Sequence, residues 1–129
     1  MRVFVTLLLV CICTGCWADA LPRERVIKAI IGEAENQGSM GMLYVACAIR
    51  NRGTLKGVYG EKAPRVKAHL YTDKVYQQAS IAWDRSVDAL ACGDIQGASH
   101  WENTNAFGLP YWARKMRVVF VWKDHKFFK

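Results

Sequence analysis

One glutamate stands where an acid is hard to ionise. Glu33 follows Val26 by seven positions and Ile30 by three, so on a helix it shares their face and is directed towards the core or its edge. Desolvation there favours the neutral acid, the form that can hand a proton to a glycosidic oxygen near neutral pH. The same placement suits a structural carboxylate paired with an arginine such as Arg50 or Arg52, and spacing alone leaves both readings open.

A glycosidase of the ordinary kind needs a second carboxyl at ~5 to ~9.5 Å from the first, and Glu102 and Asp84 are the candidates to approach through the fold. Glu35 is a poor partner, because two residues along a helix turn its side chain to nearly the opposite face, so it reads as solvated. Zinc chemistry competes if His69, His100 and His125 converge. The chain has no His-Glu-x-x-His and no paired cysteine spacing, His125 reads as a strand-end hydrogen bonder, and no metal or cofactor is expected. A Gly-x-Ser-x-Gly elbow and a phosphate-cradling glycine loop are also absent, and Cys47 lies among apolar neighbours rather than in a nucleophile's setting.

Several elements must position Glu33. Val26, Ile27, Ile30, Ile31 and Ala34 recur at helical spacing after Pro22, predicting a first helix over about 23–36 with Gly38 as its stop. Met42 to Ile49 is apolar almost without a break, as in a central helix buried nearly all round. From Gly53 to Tyr71 the periodicity is lost among Gly57, Gly60, Pro64 and several lysines, which reads as a mobile basic loop. Tyr76, Trp83, Val87 and Leu90 then fall on one stripe of a third helix that Gly93 can cap. Ala98–Trp101 is a short strand candidate, and Arg117–Trp122 with Lys126–Phe128 suggests a hairpin turning at Lys123-Asp124. Helices first and strands last imply an α+β fold, a body of about three helices with a small antiparallel sheet from the C-terminal third and a cleft between them.

Gly32-Glu33-Ala34, then Gly41, then Val45 to Ile49 running into Arg50-Asn51-Arg52, resembles the SleB-like cell-wall hydrolases, the family of the spore-cortex-lytic enzymes. The likeness resumes at Gly97-Ala98-Ser99-His100-Trp101-Glu102-Asn103, at Pro110-x-Trp112 with Met116, and at His125-x-Phe127. The four blocks keep their order across about 26–128, and 53–78 matches little. The resemblance implies a peptidoglycan lytic transglycosylase that cuts between N-acetylmuramic acid and N-acetylglucosamine, with Glu33 as general acid and then base. It also implies that the blocks carrying His100, Trp101, Asn103, Tyr111 and Trp112 line the cleft, where rings can stack on sugars and polar groups can bind N-acetyl substituents. In this chain Gln37 stands where the family commonly has a second glutamate, and the middle segment is short. Those departures keep two alternatives open: a muramidase leaving reducing ends, and a non-catalytic peptidoglycan-binding module.

Composition bounds these readings. With 129 residues, 52% hydrophobic and 22% charged, the chain has the content of one globular domain. Arg2, the apolar run Val3–Ile12 and Ala18-Asp19-Ala20 form an export signal over 1–20, leaving a single hydrolase domain over 21–129. Cys13-Thr14-Gly15-Cys16 offers another fate, lipidation at Cys16. The apolar run is far short of the ~20 residues that span a bilayer. Two cysteines remain beyond the signal, Cys47 and Cys92, and each reads as a buried thiol rather than half of a bridge. Net charge is +7 with or without the signal, so the surface seeks polyanions. For an exported monomer those are the cell wall's carboxylates and associated phosphate polymers rather than nucleic acid.

Overall fold

A computed structural model describes residues 21–129; the expected export signal and the candidate lipidation position Cys16 lie outside the described residues. The fold is α+β. Helices run in the order α1 (Arg23–Ala34), α2 (Gly38–Arg52), α3 (Pro64–Lys67), α4 (Asp73–Arg85) and α5 (Thr104–Phe107). Strands β1 (His100–Glu102), β2 (Val118–Trp122) and β3 (His125–Phe128) form one antiparallel sheet in the order β1-β3-β2.

The long helices α1, α2 and α4 form the body, with α2 at its centre. Every residue of α2 from Gly41 to Ile49 is buried, which explains its nearly unbroken apolar sequence. Gly53, at φ 71°, ends it by donating its N–H to the Ile49 carbonyl. α1 buries the stripe Val26, Ile27, Ile30, Ile31 and Ala34 against it. The sheet closes the other side through β3, whose Phe127 and Phe128 are buried and pack beside Tyr44, Phe120 and Trp112. Among the described residues no helix is long and apolar enough to cross a membrane.

Four expectations are corrected. α1 stops at Ala34, and Glu35–Gln37 tighten into a 3₁₀ turn before Gly38, itself the first residue of α2. The segment after Gly53, expected to be an irregular loop, is an arm that carries two short helical turns and three buried anchors. Val58, Gly60 and Val66 are buried, a 3₁₀ turn runs over Gly60–Lys62, and Arg25 on α1 forks onto Glu61. α4 ends at Arg85, so Val87 and Leu90 never join its stripe and stand 70% and 91% exposed. Next to that end, the Ser86 hydroxyl donates to the Trp83 carbonyl and accepts from Arg50, a local alternative to continued helix. Gly93 begins a 3₁₀ turn instead of capping, and Gln96 and Gly97 take the left-handed backbone. Lastly, Cys47 and Cys92 are joined in a disulfide with Cα atoms 5.7 Å apart, tying the central helix to the segment that follows α4. Their apolar sequence neighbours disguised the pairing.

Candidate active site

Glu33 stands on the last turn of α1, at the edge of the core and half-buried. Its carboxylate accepts three N–H donors: Oε1 takes the backbone amides of Tyr59 (3.1 Å) and Gly60 (2.7 Å), and Oε2 takes the indole of Trp101 (3.1 Å). Every group that bonds its oxygens is a donor. Neither arginine proposed as a structural partner forms an ion pair with it among the described residues. Arg50 instead stacks on Trp83 at 3.8 Å and donates to Ser86.

Sequence supplies this cradle through two glycines. A Cβ at Gly32 would collide with the backbone of Gly60, and a Cβ at Gly60 would collide with the Ala29 carbonyl and come within 2.8 Å of Glu33 Cγ. Bare backbone on both sides lets the arm approach α1 closely enough to donate two amides to one oxygen. The third donor comes from the sheet. Trp101 sits in β1, opposite Phe127 of β3, and β1 is secured to the end of α2 where Asn51 donates to the Ala98 carbonyl at 2.9 Å.

The cleft has two lobes that meet at Glu33. The larger, about 630 Å³, runs past Asn36, Lys62, Arg65, Asn103, Phe107 and His125. The smaller, about 330 Å³, is lined by Arg52, Gly57, His100 and Trp112. Glu33, Tyr59, Trp101 and Glu102 line both. Glu102 is therefore the carboxyl that shares both lobes with Glu33. Burial pushes its acid up from the ordinary carboxylate range, the Asn103 N–H works against that, and the nearby charge of Glu33 adds to it. Asp84, the other candidate, is on α4 and paired with Arg23.

No protein-family model, curated protein or solved structure matches the chain.

His100 lies in the smaller lobe against Trp112, ring centroids 5.1 Å apart. Burial, and then the charge of Arg52, hold it below the usual histidine range. Trp112 is 39% exposed and offers an open ring to that lobe, whereas Trp101 is buried with its indole committed to Glu33. Asn103 lines the larger lobe while its side chain caps α5 through the Ala106 N–H. Tyr111 lines neither lobe and stands 79% exposed beneath Arg114. The three histidines are dispersed: His69 is beside Tyr71, His100 beside Trp112, and His125 at the far lobe.

Two further readings change. Glu35 is only partly exposed; the 3₁₀ turn swings it into the larger lobe, where Arg65 pairs with it at 2.8 Å. His125 is buried with no hydrogen-bond partner at Nδ1, contrary to its reading as a strand-end hydrogen bonder. Gln37 is also buried. It exchanges hydrogen bonds with Asp124 and accepts the Trp122 indole on its carbonyl, fastening the β2–β3 hairpin to the body. Sequence reasoning missed the Tyr59 and Gly60 amides, since main-chain donors leave no side-chain signature.

Proposed function

We propose that the chain is an exported enzyme that cuts peptidoglycan glycan strands between N-acetylmuramic acid and N-acetylglucosamine, with Glu33 as general acid and base. The observation carrying this is a carboxylate at the junction of two lobes, reachable by a polymer that lies across both. Glu33 protonates the leaving glycosidic oxygen and the C1–O bond breaks. The sugar's own 6-hydroxyl closes on C1 to give a 1,6-anhydro end, and its proton returns to Glu33. Three fixed N–H donors stabilise the carboxylate that exists between those two transfers, without reorganisation at the moment of reaction. The likeness of the Gly32-Glu33-Ala34 and His100-Trp101-Glu102-Asn103 blocks to SleB-like hydrolases supports the same reading. The Cys47–Cys92 bridge suits an oxidising compartment, and the +7 charge suits an anionic wall.

A muramidase reading has its own support in Glu102, a second carboxyl in the cleft able to serve an attacking water. Muropeptide analysis of digested sacculi separates the two: anhydro ends from the wild type support transglycosylation, and reducing ends support hydrolysis. Glu33→Gln should release no muropeptides. Full activity in that variant would overturn the assignment, and tight sacculus binding by a wild type that releases nothing would indicate a binding module.

A further inference from the structure

Arg52 is the exception among the arginines. Arg23, Arg25 and Arg65 are ion-paired, Arg50 is bonded to Ser86 and stacked on Trp83, and Arg85, Arg114 and Arg117 are exposed to water. Arg52 is partly buried, and among the described residues its side chain has neither a salt bridge nor a hydrogen bond. Its position is nonetheless defined. A Cβ on Gly57, which has φ +77°, would lie 2.8 Å from the terminal nitrogen Nη2, so the guanidinium rests on bare backbone. From there it lines the smaller lobe with Glu33, Tyr59, His100, Glu102 and Trp112.

We infer that Arg52 binds a carboxylate carried by the glycan in the smaller lobe, an inference that rests on the glycan-cleaving reading of Glu33. A guanidinium partly withdrawn from water with no directly bonded counter-ion is unfavourable, and a ligand carboxylate restores the lost interaction through a two-pronged, charge-assisted contact. Glu33 favours the Arg52 cation from a distance but makes no direct contact with it, because its oxygens are bonded to three other donors and no ion pair joins the two residues. Glu102 does not either; its carboxyl accepts the Asn103 N–H and forms no ion pair with Arg52. The neighbouring Trp112 offers a ring face for the sugar bearing that carboxylate. Two groups have this chemistry: the free lactyl carboxylate of a muramic acid stripped of its peptide, and a carboxylate of an attached stem peptide.

Binding measured by calorimetry in the Glu33→Gln protein, where turnover cannot interfere, tests this directly. Three forms of one muramic-acid-containing tetrasaccharide serve as probes: peptide-stripped, bearing stem peptides, and with every carboxylate methylated. A carboxylate-bearing form should bind about tenfold or more tightly than the methylated one, as one charge-assisted contact provides. Adding Arg52→Gln should abolish that preference and leave the methylated ligand's affinity unchanged. Arg52→Lys should recover only part of it, and its thermal midpoint reports whether the fold is intact. Which unmethylated form shows the preference identifies the lactyl or the stem source. The inference is overturned if all three bind alike, or if the preference survives Arg52→Gln. Because binding is read without turnover, a wild type that cleaves no sacculi would sink the enzymatic reading and leave this result standing.

Discussion

At the scale of single residues, Trp101 should act on catalysis by holding Glu33 in place. Its indole is one of three donors and the one contributed by the sheet, so Trp101→Phe keeps most of the buried ring and removes the N–H. Losing one such donor should lower kcat roughly tenfold, equivalent to about 1.4 kcal/mol, with KM little changed, as steady-state digestion of soluble glycan would report. Glu102 makes a separate prediction in stability. Its folded state holds the proton more tightly than the unfolded chain, chiefly because of burial. Its favourable contribution is thus full below the ordinary carboxylate range and lost as pH rises through the raised value. Glu102→Gln, which cannot ionise, should therefore unfold at a higher temperature than the wild type at pH 7, with the gain shrinking towards pH 4. A thermal melt series that shows no pH-dependent difference would remove this account. The place of Glu33 at the edge of the core was legible from helical spacing, yet the three donors that hold its carboxylate were not. Spacing shows which face a side chain shares, and says nothing of amides arriving from a segment 26 residues away.

At the scale of elements, the contact between α1 and the arm at Gly60 decides whether the cradle exists. Gly60→Ala would press a methyl against the Ala29 carbonyl and bring it within 2.9 Å of the Glu33 amide nitrogen. Backbone cannot swing aside as a side chain can, so the arm must retreat and take the Tyr59 and Gly60 donors with it. We expect a loss of about 1 to 3 kcal/mol in urea unfolding and a fall in kcat larger than that of Trp101→Phe. Regular elements were the legible ones. α1 follows from its apolar stripe, α2 from an unbroken apolar run that is buried all round, and the β2–β3 hairpin from two strand-forming runs about the turn at Lys123-Asp124. The arm was not, because it is anchored by isolated residues, Val58, Gly60 and Val66, that show no period. The end of α4 was misread for the opposite reason. A regular stripe continued on paper through Val87 and Leu90, while the Ser86 hydroxyl turned back to the Trp83 carbonyl and the chain left the helix.

For the whole molecule, the disulfide is the long-range constraint. Cys47 is at the heart of α2 and Cys92 follows α4, 45 residues later, so the bridge closes a loop containing the arm and all of α3 and α4. Closing a loop of that size removes about 4 kcal/mol of entropy from the unfolded chain in the simplest treatment, and measured gains commonly run at about 2 to 4. Neither cysteine lines the two lobes around Glu33. Cys92→Ala, or wild type held in reductant, should therefore unfold at markedly lower urea while the folded fraction keeps its rate of glycan cleavage. Urea titrations with and without reductant, read beside digestion at a temperature where both forms are folded, separate these effects. A fall in activity with no loss of stability would mean that the bridge shapes the cleft, through α2 and the Arg52 at its end, rather than only restraining the chain that surrounds it.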